Sequence, residues 1–167
     1  MIFGTIHTIS EELREMAVQN GLCTQWQNSW GQPSADQLCQ MYLRGLDFCI
    51  EHDFPSVEYM KRNFDGVMQK HGIYVGDNIN LSNPRKIVCN GTTTGAALFD
   101  GFAVGLIYVR HKSRISVDVR DRAIVNIICY DESSVDVWNR SDNARVHILL
   151  HGGNYNSAGR VIINDKR

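Results

Sequence analysis

The C-terminal half of this chain repeats a short pattern, and the period of that pattern constrains the fold more than any other sequence feature. Each unit begins with a polar residue, usually Asp, and continues through a small residue to two apolar or β-branched residues separated by one. The units begin at Asn90, Asp100, His111, Asp121, Asp131, Asp142 and Ser157, and the last step is lengthened by an inserted HGGNYN. A short fixed period predicts stacked supersecondary units, none of which buries its apolar face alone.

Alternation inside each unit predicts a β-strand whose apolar side chains face a core. The first predicted inward column contains Thr94, Val104, Ile115, Val125, Val135, Val146 and Val161. The second contains Ala96, Leu106, Val117, Ile127, Val137, Ile148 and Ile163. A small residue two positions after each start indicates a tight corner, with Phe102 as an exception. One strand and one corner per unit predict a two-sided coil of about twenty residues, so that every second unit stacks.

An antiparallel meander of short strands is the alternative to this solenoid. A meander needs hairpin turns, which favour dipeptides such as Asn-Gly. Only Asn90-Gly91 and Asp100-Gly101 fit that requirement, and the later corners lack a glycine. The sequence therefore favours the parallel β-solenoid.

The residues seven positions after alternate starts are predicted to point outward, where Ile107, Ile128 and Leu149 form an aliphatic stripe. A stripe of this kind is unfavourable in water, so we expect either the N-terminal helices or a second subunit to cover it, with the helices preferred. On the opposite face, Trp138 lies between Asp136 and Asn139 and is the best isolated candidate for a contact residue.

The N-terminal third carries signals for three short helices. Thr8 and Glu11 have the spacing of a capping box, and Ser34 and Ser56 are good N-cap residues for two further helices. Trp26 and Trp30 lie in a polar stretch between the first two helices. These tryptophans are interpreted as part of a helical packing surface or, alternatively, as a partner contact.

Charge and cysteine usage exclude several classes of function. Seventeen basic and eighteen acidic residues give a net charge of −1, which is a poor footprint for binding a phosphate backbone. The five cysteines are widely spaced, with no CxxC pair, and are expected to be mostly buried thiols. Stacked carboxylates at Asp100, Asp121 and Asp142 are not expected to bind a metal, because nearby arginines supply counter-charge. We predict neither a metal site nor a cofactor.

Two other functions compete with a scaffold. An enzyme would require a cleft lined by residues such as His111, Asp131 or Tyr130, although the sequence contains no recognisable catalytic motif. A nucleic-acid binder would use the basic region from Arg110 to Arg122, which is interleaved with acidic residues.

No apolar run is long enough to span a membrane, and MIFGTIHTISEELRE lacks the pattern of a secretory signal. We therefore expect a cytoplasmic protein.

Two segments carry a resemblance to a known group of proteins. GLDFCIEHDFPS (45–56) and FDGFAVGLIYVRHKSRISV (99–117), together with the later Asp-led units, resemble uncharacterised proteins of Bacteroidetes bacteria and of their phages and prophages. These proteins join a small helical N-terminus to a repetitive β tail. The resemblance covers nearly the whole chain and implies a phage or mobile-element context, with no activity attached.

The sequence as a whole predicts an α+β protein in which a small N-terminal helical region leads into a short parallel β-solenoid. The predicted boundaries are 1–72 for the helices, 73–89 for connecting or capping strands and 90–167 for the solenoid. The preferred function is a non-catalytic interaction or assembly protein that acts through the solenoid faces or ends, with possible interference with a host factor. The partner is expected to be a protein, with homo-oligomers expected and membrane or nucleic-acid binding not expected.

Overall fold

The computed structural model describes residues 8–167 and divides the chain into two compact units, with the boundary between His71 and Gly72. The first unit is helical and the second is a parallel β-solenoid, which confirms the predicted α+β class. Residues 1–7, which begin the stretch considered for a secretory signal, lie outside the described residues.

Capping side chains define where the helices of the first unit begin. Thr8 and Glu11 form the predicted capping box, Ser34 forms another with Gln37, and the Ser56 hydroxyl accepts from a backbone amide. Each cap satisfies amides that have no partner inside the helix. The helices are α1 (Ile9–Gln19), α2 (Thr24–Ser29), α3 (Ala35–Arg44), α4 (Leu46–Glu51), α5 (Val57–Phe64) and a 3₁₀ turn (Met68–His71).

The predicted second helix is divided at Gly45 into α3 and α4. A side chain at Gly45 would approach two ring carbons of Trp26, at 3.8 Å from its Cβ. The indole of α2 therefore packs against the junction at van der Waals distance. This contact was not visible in the sequence, because it joins residues that lie far apart along the chain.

The second unit contains eleven strands, which alternate between two parallel sheets. The strands are β1 (Ile73–Val75), β2 (Asn78–Ser82), β3 (Lys86–Asn90), β4 (Thr94–Phe99), β5 (Val104–Val109), β6 (Arg114–Val119), β7 (Ile124–Cys129), β8 (Ser134–Asn139), β9 (Arg145–Leu150), β10 (Asn154–Ala158) and β11 (Ile162–Asp165). The odd-numbered strands form one sheet, here the odd sheet, and the even-numbered strands form the even sheet. Pairing of alternate strands confirms two units per coil, and 73–89 forms the first strands of both sheets.

The core lies between the two sheets, and the first two units are shifted by one residue from their predicted register. Gly105, Ile107 and Val109 pair with the inward residues of β7, whereas Val104 and Leu106 face outward. The same shift applies to β4, where Gly95 and Ala97 replace the predicted Thr94 and Ala96. The later columns, from Ile115 onward, lie where they were predicted through β9.

The shift has its origin in the five corners before β4 to β8, which are four-residue turns with positive φ at the second residue. That position is Gly91 and Gly101 in the first two corners, but His111, Asp121 and Asp131 in the next three. In the first two units the polar residue, Asn90 or Asp100, directly precedes the glycine. Aligning these residues with His111, Asp121 and Asp131 therefore places both units one position too early. With the corrected alignment Ala103 becomes the small inward residue, and Phe102 is no longer an exception.

Each left-handed polar residue also closes the stack by accepting a hydrogen bond from the corner one coil earlier. Asp121 accepts from the Gly101 amide at 2.8 Å, and Asp131 accepts from the His111 amide at 2.9 Å. His111 in turn accepts through Nδ1 from the Gly91 amide at 2.9 Å. Asp and His tolerate positive φ better than most residues, and these bonds satisfy amides that the sheets leave unpaired.

Each strand from β4 to β9 has a third inward position, which was not predicted from the sequence. On β4 this position is Phe99, the largest fully buried side chain among the described residues. Phe99 lies in the column of Val119, whose equivalents in the odd sheet are Val109 and Cys129. The core accommodates this ring because Gly105 faces it, and a methyl group at Gly105 would overlap the ring. Phe99 thus occupies the space that a side chain at position 105 would otherwise fill.

We predict that Phe99 and Gly105 are energetically coupled. Gly105→Ala should cost about 2 kcal/mol by overpacking, and Phe99→Val should cost about 2 kcal/mol by leaving a cavity. In the double variant the added methyl enters the vacated space, so the combined cost should fall below the sum by about 1–3 kcal/mol. Urea unfolding of the four proteins measures the coupling, and strictly additive costs would contradict it.

We predict that the corners depend on both conformation and hydrogen bonding at Asp131. Asp131→Asn should be nearly neutral, because the amide oxygen still accepts and Asn tolerates positive φ. Asp131→Gly should lose only the acceptor, and Asp131→Ala should lose the acceptor and add strain, for a cost of about 2 kcal/mol. Urea unfolding should rank the variants in that order, and equal stability for Ala and Gly would show that φ is not limiting.

Candidate functional site

The predicted aliphatic stripe on the outer face of the solenoid is wrong at its first residue. Ile107 faces the core and is fully buried, because a one-residue shift in register moves a side chain to the other face of a strand. Ile128 and Leu149 do point outward and stack on the odd sheet. Their neighbour on β5 is Tyr108, so the observed stripe is Tyr108, Ile128 and Leu149.

Trp26 and Trp30, at α2 and directly after it, line an apolar cavity of about 290 Å³ within the helical unit. The indole N–H of Trp30 donates to the Ser10 hydroxyl at 3.0 Å, and the Arg44 guanidinium lies 5.9 Å from the Trp26 ring. Other lining residues include Leu38, Tyr42, Phe48 and Phe54. The cavity suits an apolar group, and both tryptophans are also packing residues of this unit, as interpreted from the sequence.

An exposed apolar patch lies where the corner before β5 meets the odd sheet. Phe102 is 81% exposed, Val104 61% and Ile124 37%, and Val104 pairs directly with Ile124 across adjacent strands. The Arg122 guanidinium lies 6.0 Å from the Phe102 ring. Phe102, Val104 and Ile124 are called the apolar patch below. Sequence reasoning missed it because the shifted register placed Val104 in the core.

Trp138 lies on the outer face of the even sheet, as predicted, and is 39% exposed. Its row across the strands is Leu98, Asp118 and Trp138, and the adjoining row is Ala96, Ser116 and Asp136. A groove of about 250 Å³ runs over these rows, here the Trp138 groove. Its lining side chains include Asn80, Ala96, Leu98, Ser116, Asp118, Trp138 and Arg140.

Asp118 is the electrostatic centre of the Trp138 groove. Its two carboxylate oxygens accept from Nε of Arg120 at 3.1 Å and from Nε of Arg140 at 2.7 Å. Partial burial raises the pKa of Asp118, but the hydrogen bonds and charges of the two arginines outweigh burial and leave that pKa lowered. The carboxylate is thus ionised, oriented and compensated by positive charge.

The residues considered for catalysis are engaged in the corners of the solenoid. The side chains of His111 and Asp131 each accept a hydrogen bond from a backbone amide. The Tyr130 ring stacks on His151 with centroids 5.0 Å apart. Burial raises the pKa of Cys89 and of Cys129 to about 12, so both remain protonated thiols. Four of the five cysteines are buried, as predicted, and Cys23 is exposed.

The basic segment from Arg110 to Arg122 forms a charge-paired surface. Arg110 is buried and donates to Asn90 at 2.8 Å, Lys112 lies 3.8 Å from Glu132, and Arg120 pairs with Asp118. These acidic and amide partners reduce the positive potential that a phosphate backbone would require.

Residues 8–167 bring together no set of metal ligands and contain no membrane-spanning helix. No group of three His, Cys, Asp or Glu residues in this range is arranged to hold a metal ion. None of its helices is both long enough and apolar enough to cross a bilayer. Comparisons with protein families, curated proteins and solved structures give no match to this chain.

We predict that removing Arg140 raises the pKa of Asp118. Arg140→Met deletes the shorter of the two hydrogen bonds to the carboxylate, so the pKa of Asp118 should rise toward its ordinary value. A lowered folded-state pKa stabilises the fold above the unfolded-state pKa, and this stabilisation is lost as pH falls through the folded-state pKa. Titration of carboxyl ¹³C signals measures the change. Arg114→Met, on the same strand as Asp118 but without a described bond to it, is the control.

Proposed function

We propose that this chain is a non-catalytic protein-interaction protein that works in assembly, and that the apolar patch of its solenoid binds a second copy. The observation that carries the proposal is the exposure of Phe102 in the corner before β5 together with that of Val104 and Ile124, which pair directly on adjacent strands. Adjacent exposed apolar side chains are typical of interaction sites, because burying each one stabilises a complex.

The energetics favour a central role for these three residues. Complete burial of a Val, Ile or Phe side chain contributes about 1.5–3 kcal/mol. A stable dimer buries roughly 800 Å² on each partner, so the patch would form the centre of a larger contact. The paired strands β5 and β7 fix Val104 and Ile124 in position, which limits the conformational entropy lost on binding.

The charges around the patch support a second copy as the partner. Exposed Asp121 and Arg122 follow each other in the corner before β7, and on the same sheet exposed Asp142 and Arg145 lie in and directly after the corner before β9. A two-fold contact places the same surface on both sides. Because this border carries both signs, cations of one copy are able to meet anions of the other.

The cellular context of the proposal rests on the sequence. The resemblance to Bacteroidetes phage and prophage proteins supports a role in a mobile element, either in assembly or in interference with a host factor. Five cysteines in no disulfide support a reducing compartment such as the cytoplasm. No cofactor is part of the proposal.

We predict that polar substitution of the apolar patch abolishes self-association. The triple variant Phe102→Ser, Val104→Thr, Ile124→Thr should remain monomeric across a micromolar concentration series in which the wild-type chain dimerises. Analytical ultracentrifugation measures the mass, and circular dichroism verifies that the exposed substitutions leave the fold intact.

The matched control for the patch is Ile162→Thr. Ile162 is 53% exposed on the same sheet, but it lies two odd strands beyond Ile124 and pairs with His147. This variant should dimerise like the wild type. A wild-type chain that stays monomeric throughout the series would refute self-association, as would equal weakening by Ile162→Thr and the triple variant.

A further inference from the structure

The outer face of the even sheet differs in chemistry from the apolar patch and carries the Trp138 groove. Its lining includes the short side chains of Ala96 and Ser116, which lie in the row next to Leu98, Asp118 and Trp138. A row of short side chains beside a row of longer ones leaves a shallow, open depression. Its volume of about 250 Å³ suits one small ring of a ligand.

Trp138 gives the groove an aromatic surface and an available donor. The side chain is 39% exposed, and its indole N–H has no hydrogen-bond partner among residues 8–167. An indole combines a large apolar surface with one polar group. It therefore suits a ligand that has an apolar face and a polar edge.

Asp118 and Arg140 supply oriented polar groups beside the indole. An ionised carboxylate has about four acceptor positions, and the two guanidinium Nε atoms occupy one on each oxygen. Acceptor capacity therefore remains on Asp118, and the terminal guanidinium nitrogens of Arg140 are further donors. Ser116 and Asn80 add a hydroxyl and an amide from the adjoining row.

Charge decides which ligand fits this arrangement. Asp118 pairs with both Arg120 and Arg140, and Asp100 and Asp121 also interact electrostatically with Arg120, so the groove offers hydrogen bonds without an excess of either charge. A phosphate would require uncompensated cations, and a cationic ligand would compete with the arginines for the carboxylate. An apolar peptide side chain would leave these polar groups without partners. A neutral ligand with many hydroxyl groups avoids all three penalties.

We propose that the Trp138 groove binds a neutral sugar ring of an oligosaccharide or polysaccharide. The apolar face of the ring packs against the indole, and its hydroxyl groups bond with Asp118, Arg140 and Ser116. The polar row continues past the groove through Asp136 and Asn156, whose side chains are joined at 2.9 Å. Because neighbouring strands are about 4.8 Å apart, this row offers repeated polar groups to a chain of sugars.

The test is binding of the full chain to an array of neutral glycans built from glucose, galactose, mannose and N-acetylglucosamine, with heparin and polygalacturonate as anionic comparators. We expect saturable binding to at least one neutral glycan, with little change between low and high salt. For that glycan, Trp138→Ala should weaken binding by about tenfold or more. Trp138→Phe keeps an aromatic surface and should retain part of the affinity.

The control variants separate this proposal from the apolar patch. Ile162→Thr changes an exposed apolar side chain that lies outside both the groove and the apolar patch, and it should leave glycan binding unchanged. The triple patch variant should lose self-association and keep the glycan, so the two proposals fail independently. Circular dichroism of Trp138→Ala excludes unfolding as the reason for lost binding.

Three results would overturn the proposal. The first is no neutral glycan bound by the wild-type chain above the level of Trp138→Ala. The second is binding confined to the anionic comparators and removed by salt, which would indicate an unspecific charge effect. The third is equal loss of binding in Trp138→Ala and Ile162→Thr.

Discussion

The solenoid depends on a four-residue corner whose second residue has a positive φ. That conformation reverses the chain after six strand residues, and its repetition sets the spacing of the units from β4 to β8. Glycine occupies the position without strain at Gly91 and Gly101. In the next corners His111, Asp121 and Asp131 take the same conformation. Each of these side chains accepts a hydrogen bond from a backbone amide of the preceding coil. The conformational cost is thus offset by a bond that also holds neighbouring coils in register.

This constraint explains which features could be predicted from the sequence. The later units display their apolar columns because Asp or His marks the left-handed position directly, and Ile115, Val125 and Val135 face the core as predicted. The helix caps at Thr8, Ser34 and Ser56 were equally readable, since a cap depends on residues that are close in sequence. Local chemistry therefore predicted both the fold class and the stacking of alternate units.

The same constraint explains what could not be predicted. Glycine at a left-handed position has no side chain to identify it. Asn90 and Asp100 were therefore aligned with His111, Asp121 and Asp131, although these three residues lie one position later in their corners. The error moved Ile107 to the surface and Val104 to the core. It also concealed the complementarity of Phe99 and Gly105, which lie on different sheets and meet only in three dimensions.

The outer faces of the two sheets differ in chemistry because the fold places few constraints on which side chains point outward. The inward columns and the corner acceptors are fixed by packing and by backbone hydrogen bonds, whereas an outward side chain needs only to tolerate a strand. On the odd sheet these free positions include Val104 and Ile124, and on the even sheet they include Ser116, Asp118 and Trp138. One repeating framework therefore presents an apolar patch and a polar, aromatic groove.

The corners also support the proposed binding function. The side chains with the chemistry for catalysis, His111 and Asp131, are hydrogen-bonded to backbone amides that would otherwise lack partners. Moving either group toward a substrate would break a bond between coils. Cys89 and Cys129 are held as thiols in the core, where their raised pKa suppresses the reactive thiolate. These groups stabilise the stack, which supports the proposal that recognition depends on the outward positions.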